Sequence, residues 1–247
     1  MWKRYRWPIL LGLTLVFLSL GLIAIHIAVF HNSHDVGFYL LLDVAFLPLE
    51  VLLVTVVLHR LLTMREKRSK LARLNMVIGA FYSEVGTRLL AVFSAYDGKV
   101  AEVRAILVLS TEWSDRQFLS VHRGLRTYVP ALCCTGAELP PLRDFLLARR
   151  EFLLRLLENP SLMEHEQFTD LLWAVFHLTE ELAARRDLSR LTDADLDHLR
   201  GDMRRAYGLL MVQWLDYMQH LKRHYPYLYS LAMRTNPFDP AAQVEVS

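Results

Sequence analysis

The chain has 247 residues, 53% of them hydrophobic and 22% charged, with a formal net charge of +2. The apolar residues are concentrated in the first quarter, which indicates membrane segments followed by a smaller domain rather than one ordinary water-soluble domain. Residues 71–247 hold 20 Lys and Arg against 22 Asp and Glu. The positive charge therefore belongs to the N-terminal quarter, and the balance gives nucleic-acid binding no support.

Two apolar segments predict membrane-spanning helices. Residues 8–30 contain no Lys, Arg, Asp or Glu, and their one strongly polar side chain is His26. A helix of 23 residues rising about 1.5 Å per residue crosses roughly 30 Å of hydrocarbon. Residues 36–58 form a second apolar segment of the same length, interrupted by Asp43, Pro48 and Glu50. The sequence therefore predicts a transmembrane hairpin.

A cleaved signal peptide is the alternative interpretation of the first segment, because Lys3, Arg4 and Arg6 resemble a basic leader region. The apolar part of a signal peptide is usually about 7–15 residues long and ends at a small-residue cleavage site. The segment 8–30 is longer and leads directly to another apolar segment. We therefore favour a retained span.

Basic residues flank the hairpin on one side only. Residues 1–7 and 59–73 are rich in Lys and Arg, whereas the connecting turn, 31–35, has none. The positive-inside rule then predicts a protein of the prokaryotic cell (inner) membrane. Residues 1–7 and the domain 74–247 are expected in the cytoplasm, and the turn is expected in the periplasm. Within the collar 59–73, the residues expected to contact anionic head groups are Arg65, Lys67, Arg68, Lys70 and Arg73.

The remaining chain shows helical periodicity. No Pro or Gly follows the second span until Gly79, so its helix is predicted to continue to a stop at Asp97-Gly98. Strand patterns are missing, which predicts an all-α fold: a two-helix transmembrane hairpin followed by a cytoplasmic helical bundle. The further predicted helices are 99–110, 114–128, 140–157, 161–187 and 192–224.

Three segments carry a resemblance to a known group of proteins. They are residues 46–55 (FLPLEVLLVT), residues 74–86 (LNMVIGAFYSEVG), and residues 225–232 (YPYLYSLA) with Asn236-Pro237-Phe238. These segments resemble uncharacterised prokaryotic two-span membrane proteins with a helical cytoplasmic domain. The resemblance implies the topology and carries no activity with it.

Asp43 and Glu50 are the most informative polar residues. A carboxylate near the middle of a bilayer costs about 2.5–3.5 kcal/mol, and a spacing of seven residues puts both on nearly one helix face, about 10 Å apart. Pro48 lies between them and removes a backbone donor, and His26 is expected at a similar depth in the other span. These groups either lock the hairpin or an oligomer by hydrogen bonds, or handle protons, cations or a ligand.

Metal sites gain less support. In the outer turn, His31, His34 and Asp35 with His26 offer suitable ligands, but these residue types also make turns and caps. In the cytoplasmic domain a carboxylate-bridged di-metal bundle would need two Glu-x-x-His motifs. Only Asp195–His198 approaches that form, and His177–Glu180 has the reverse order. The sequence therefore predicts no metal or cofactor, and the adjacent cysteines 133 and 134 indicate no disulfide framework.

Motifs for nucleophilic catalysis, phosphate binding and dinucleotide binding are missing from the sequence, so we predict no catalytic residues and no enzyme. The predicted function is a membrane-anchored, homo-oligomeric helical interaction or regulatory module with a cytoplasmic protein partner. The alternative is an oligomeric ion or proton channel or transporter that uses Asp43 and Glu50. Gly79 and Gly86 are expected to permit close helix packing. An aromatic cluster is expected to dock the C-terminal segment onto the bundle: Tyr225, Tyr227, Tyr229 and Phe238.

Overall fold

The computed structural model describes most of the chain and divides it into two compact units, residues 1–67 and 68–247. The described residues are 33–160, 162 and 165–245, with Phe17, Gly21, Ala24, Ile25 and Ala28 before them. The predicted first span thus lies largely outside the described residues, and His26 lies outside them altogether. The regular structure of the described residues is helical, apart from one antiparallel bridge between Asp97 and Leu132, which confirms the all-α class.

The first helix, α1 (Ser33–Phe81), is 49 residues long, begins in the first unit and ends in the second. Its passage through residues 59–73 confirms that the helix of the predicted second span continues without a break. Ser33, His34 and Asp35, which the sequence analysis placed in the connecting turn, are helical.

The part of α1 in the first unit presents apolar side chains on every side. All residues from Glu50 to Arg65 are exposed. Thirteen large apolar side chains on this helix between Val44 and Met64 are each at least 50% exposed. Four consecutive ones, at positions 51–54, already surround a full turn. No side of this helix is therefore sheltered by the described part of the first unit.

One helical segment among the described residues, Leu74–Tyr96, is long and apolar enough to cross a membrane. It is also 44% buried, and it contains core residues of the second unit such as Val85 and Leu89, which are fully buried. A core helix of a water-soluble domain has the same composition, so this segment indicates no span by itself. The hairpin of residues 8–30 and 36–58 stays a prediction.

The second unit is a bundle of helices in which the predicted segments are recognisable. A π-helical turn, Tyr82–Gly86, joins α1 to α2, and short 3₁₀ turns occupy Gly136–Glu138 and Leu188–Arg190. The α-helices that follow α1 are α2 (Thr87–Tyr96), α3 (Val100–Leu107), α4 (Asp115–Thr127), α5 (Leu139–Ala148), α6 (Arg150–Leu157), α7 (Glu166–Ala184), α8 (Asp193–His224) and α9 (Pro226–Arg234).

Capping chemistry explains most of the helix boundaries. Ser114 and Gln117 form a reciprocal capping box at α4, and the Thr192 hydroxyl accepts from the Asp195 N–H at α8. The predicted helix 161–187 starts later, because the His165 ring accepts a hydrogen bond from the N–H of Phe168 and caps α7. The predicted helix 140–157 is divided at Arg149 into α5 and α6. Pro226 follows the end of α8, as predicted, and also begins a further helix, α9.

The helix α8 lies at the centre of the second unit. Its predicted apolar stripe is buried as expected, apart from Leu196, which is half-buried. Tyr82 on the π-helical turn donates a hydrogen bond from its hydroxyl to the carbonyl of Leu210, 2.9 Å away. At Gly79 an added Cβ would lie 2.9 Å from the hydroxyl of Tyr217, so this glycine permits the close packing of α1 on α8. The buried stripe of α8 is Leu199, Met203, Tyr207, Leu210, Trp214, Met218 and Leu221.

A buried carboxylate fixes the long irregular segment between α4 and α5. Asp97 is 3% exposed and accepts hydrogen bonds from the Tyr128 hydroxyl at 2.5 Å and the Ala131 N–H at 3.0 Å. Two backbone hydrogen bonds pair the same segment with the end of α2, from Gly98 to Ala131 and from Cys133 to Tyr96. Both cysteines of this segment are free, as expected.

The C-terminal segment docks onto the bundle, as the aromatic cluster predicts. The Tyr229 hydroxyl donates to the carbonyl of Ser110 at 3.0 Å, and the buried Asn236 amide donates to the carbonyl of Leu107 at 2.8 Å. Phe238 is fully buried with its ring edge against Trp214. Tyr227 is 70% exposed, so docking depends on the later members of the cluster.

Two buried tyrosines offer a matched test of this packing. Tyr82 has a hydrogen-bonded hydroxyl, whereas the Tyr207 hydroxyl has no partner among the described residues. Phenylalanine at 82 should lower the free energy of unfolding of the full-length chain by about 1 kcal/mol, because a buried hydrogen bond is lost. Phenylalanine at 207 should leave it unchanged or raise it, because an unpaired polar group leaves the core. Denaturant unfolding followed by circular dichroism measures both, and equal losses would contradict the assignment.

Candidate functional site

The residues that the sequence singled out on the predicted second span and in the collar lie on α1. Glu50 and Arg65 are exposed there. The side chains of Asp43 and Pro48 lie outside the described ones, as do those of the other collar residues, which are Lys67, Arg68, Lys70 and Arg73. Their contacts with lipid, with one another or with a second copy stay predictions.

A cluster of imidazole and carboxylate groups lies instead between α7 and α8. The Nε2 atoms of His177 on α7 and His198 on α8 lie 3.5 Å and 3.4 Å from Oδ2 of Asp202. The carboxylate of Glu181 reaches the same two nitrogens, with Oε1 at 3.8 Å from His177 and Oε2 at 3.6 Å from His198. Two helices thus contribute one imidazole and one carboxylate each.

The helical repeat explains why these four side chains meet. Side chains four residues apart lie on one face of an α-helix, and both pairs, 177 with 181 and 198 with 202, have that spacing. Between them, Leu178 and Leu199 are fully buried in the contact of α7 with α8. The apolar packing of the two helices therefore brings the two polar pairs face to face at the edge of the core.

Asp202 is the most unusual member of the cluster. Its side chain is 5% exposed, whereas those of His177 and His198 are 46% and 55% exposed. The guanidinium of Arg205 lies 3.6 Å from Oδ1 of Asp202, but Oδ2 is buried and accepts no hydrogen bond among the described residues. Buried polar atoms are nearly always satisfied, so this oxygen, aimed between two imidazoles, indicates a functional position.

Arg185, at the C-terminal end of α7, holds the other carboxylate in place. Its guanidinium donates to Oε2 of Glu181 at 2.7 Å and to Oδ1 of Asp195 at 2.6 Å. These hydrogen bonds keep the pKa of both the Glu181 and the Asp195 carboxyl below the usual range. Glu181 therefore stays ionised beside the imidazoles, and the end of α7 is tied to the start of α8.

The cluster can act chemically in two ways. Two imidazole nitrogens and a carboxylate oxygen that lie within 4.8 Å of one another form a donor set found in zinc and other transition-metal sites. With protonated imidazoles, the same groups form a network of ion pairs. A cleft of about 400 Å³, lined in part by Trp173, His177 and Arg205, opens beside the cluster.

The sequence offered both histidines only as parts of incomplete Glu-x-x-His motifs, from which no metal site was predicted. That motif has an i, i+3 spacing, which pairs His177 with Glu180 and Asp195 with His198. In the structure Glu180 contacts Arg150 at 2.7 Å, and Asp195 contacts Arg185. The signal that was present is His followed four residues later by an acidic residue, repeated on two consecutive helices.

A larger groove of about 560 Å³ runs along α8 on the side of α4. Its lining is mostly apolar, with Leu125, Val129 and Val212 among its residues and with Arg126 and Arg205 at its margin. Such a surface suits contact with an apolar segment of another molecule.

Comparison with known proteins finds similarity over nearly the whole chain. The family described as "Uncharacterized protein MJ1433, C-terminal helical domain" matches residues 70–234, and that described as "MJ1433, N-terminal helical domain" matches residues 2–62. A protein of Methanocaldococcus jannaschii, "Uncharacterized protein MJ1433", is 45% identical over 237 residues, which cover 96% of this chain and 94% of that protein. No solved structure matches. The two family regions meet near the boundary between the structural units.

Glutamine in place of Arg185 should destabilise the full-length chain at pH 7, because three hydrogen bonds from the guanidinium to two carboxylates are lost. We expect the Tm to fall by about 3–8 °C. The carboxyl pKa values are lower in the folded state than in the unfolded state, so this stabilisation is complete above the unfolded pKa of about 4. It is lost as the pH falls through the folded pKa, so the Tm values of wild type and R185Q should approach each other as the pH falls below about 4.

The matched control is R155Q. Arg155 and Glu151 form an ion pair of the i, i+4 type, but their side chains are 75% and 89% exposed. Exposed pairs contribute little, so this variant should change the Tm by less than about 2 °C. A difference between wild type and R185Q that stays constant down to pH 3 would contradict the role given to the two carboxylates.

Proposed function

The chain belongs to the MJ1433 family, whose two helical regions cover nearly its whole length, and we propose that it is a membrane-anchored helical module. The first unit inserts into the cell membrane as a two-pass hairpin with both ends in the cytoplasm. The second unit is the cytoplasmic domain, which interacts with a protein partner or regulates one. The exposed apolar surface of α1 is the observation that carries the proposal.

An apolar surface of this extent is unfavourable in contact with water. Water-soluble monomers rarely expose a contiguous apolar patch larger than a few hundred Å². A helix that is apolar on all sides is normally either a core helix or a membrane span. Between Val44 and Met64 the helix α1 exposes large apolar side chains on all its sides, which supports a lipid environment. The Lys and Arg distribution supports an orientation with residues 1–7 and 59–73 inside.

The second unit supports an interaction role in two ways. Its mostly apolar groove beside α8, lined by Val129 and Val212, suits a partner's apolar segment, and Trp173 is 56% exposed nearby on α7. Large aromatic residues are enriched in the centres of protein interfaces. A homo-oligomer held by the polar groups of the predicted spans, with a partner bound by the second unit, is the arrangement that we propose.

Membrane insertion and topology can be tested with one native cysteine. Cys133 is exposed and Cys134 is buried, so a thiol reagent reports on the second unit through Cys133. We expect the chain, produced in a bacterial host, to stay with the membranes in alkaline carbonate and to be released by detergent. A membrane-impermeant maleimide should label Cys133 only after the cells are lysed, because the second unit faces the cytoplasm.

Two variants control this experiment. The C133S variant should not be labelled after lysis, and this loss would show that the label is on Cys133. S33C in a C133S/C134S background places the one thiol near the predicted periplasmic turn, where the reagent should label intact cells. A chain that remains in the carbonate supernatant would overturn the anchor, and labelling of Cys133 in intact cells would overturn the orientation.

The alternative function is ion or proton transport, and one observation favours it. Glu50 is an exposed carboxylate on the apolar part of α1, with Val51 and Val54 exposed beside it. Carboxylates within a span are costly and often line an ion pathway. Asp43 lies seven residues earlier on the same helix, so the two could form acidic rings in an oligomer.

Reconstitution distinguishes the two functions. Under the anchored-module proposal, vesicles that hold the full-length chain should show no proton or cation flux above that of empty vesicles. Under the alternative, flux is present and is abolished in the D43N/E50Q variant, because the charge of both rings is removed. Light-scattering measurement of the oligomer in detergent, before and after D43N/E50Q, shows whether these carboxylates hold the assembly together.

A further inference from the structure

We propose that His177, His198 and Asp202 bind a divalent transition-metal ion, with zinc as the preferred ion. The proposal concerns the second unit alone and does not depend on membrane anchoring. It follows from the donor types, from their separations and from the buried oxygen of Asp202 that has no hydrogen-bond partner among the described residues.

The separations suit a metal ion. In a tetrahedral zinc site the bonds to His and Asp are about 2.0–2.2 Å long, which puts neighbouring ligand atoms about 3.3–3.5 Å apart. Oδ2 of Asp202 lies 3.5 Å from Nε2 of His177 and 3.4 Å from Nε2 of His198. All three ligand atoms lie within 4.8 Å of one another. Both imidazoles are about half exposed, so their rings have room to turn toward a shared ion.

The environment of Asp202 separates this site from an ordinary surface cluster. Arg205 faces Oδ1, whereas Oδ2 is buried, accepts no hydrogen bond among the described residues and is directed at the imidazoles. Burial of an unsatisfied charged oxygen is costly, and a cation at this oxygen would remove the cost. Arg185 holds Oε2 of Glu181, so Oε1 remains to complete a fourth position or to accept a hydrogen bond from metal-bound water.

The ligand types favour zinc, cobalt or nickel over magnesium or calcium, because imidazole nitrogen suits the former and all-oxygen sites suit the latter. Three protein ligands leave a coordination position open, as in sites where zinc holds a water molecule. The cleft lined by Trp173, His177 and Arg205 lies beside the cluster. A metal ion held here would therefore be accessible to water and to small anionic molecules.

Two other histidine groups could bind added metal and must be controlled. His220 and His224 stack on α8 with ring centroids 4.5 Å apart, and histidines spaced by four residues can chelate an ion. His122 lies 3.6 Å from Asp216 and offers a histidine-carboxylate pair. The double variant H220Q/H224Q provides the background for the test, and H122Q in that background is the matched control.

The test uses the full-length chain, purified in detergent through a tag without histidine. Titration calorimetry with Zn²⁺ should show one equivalent bound in the H220Q/H224Q background. H177N and H198N should each weaken Zn²⁺ binding at least about 100-fold, since even loss of a supporting group near a metal costs about 10- to 100-fold. E181Q should weaken it about 10- to 100-fold, and H122Q should leave it unchanged. Co²⁺ should give the visible absorption of a four-coordinate ion, and H198N should abolish it.

The two histidine variants test the site without replacing the buried carboxylate of Asp202. Their side chains are about half exposed, so circular dichroism should match that of the background protein. Absence of Zn²⁺ binding in the H220Q/H224Q background would overturn the site. Equal Zn²⁺ affinity in H177N, H198N and H122Q would also overturn it, and the cluster would then be a network of ion pairs only.

Discussion

Burial of the helix α8 is the constraint on which the second unit depends. The consecutive residues Gln213, Trp214 and Leu215 on this helix are all buried. Consecutive side chains point about 100° apart, so neighbouring helices must cover α8 from several sides. The helix α7 is one of these neighbours, and its own buried Leu178 and Leu182 fix the facing surfaces. The imidazoles and carboxylates at the edge of this contact are positioned by apolar packing, because no polar interaction alone would hold two helices in register.

The helical elements were predictable because their signals are local. Caps at Ser114 and Thr192 and the stop at Asp97-Gly98 depend on residues within one turn of each boundary. The break at Arg149 carries no Pro or Gly to mark it, and the late start of α7 follows from the ring of His165, which is not among the usual N-cap residues. For the site, local spacing could identify pairs such as His177 with Glu181, but only the packing of α7 on α8 shows that Asp202 is buried and meets both imidazoles. The roles predicted for Asp43 and Glu50 depend on lipid or on a second copy of the chain, and contacts within one chain do not describe either.

The two units follow different physical rules. In the second, apolar side chains are buried and charged ones are exposed, as in any domain in water. In the first, the described part of α1 exposes its apolar side chains at 50% or more. The boundary between the units lies between residues 67 and 68, between the two regions of family similarity and within the predicted collar. Charge, burial and family boundaries thus agree on one division of the chain.

The π-helical turn Tyr82–Gly86 has a consequence for the phase of the helix that contains it. From Leu74 to Phe93 the buried positions recur about every four residues, whereas a regular α-helix advances one turn every 3.6 residues. A stripe with that longer period would drift around the helix by about 40° at each turn, away from the core. The wider turn takes up roughly one extra residue and so cancels about 100° of drift. Leu89 and Phe93 therefore face the same core as Leu74 and Ile78, and the turn acts as a phase correction within one nearly continuous helix.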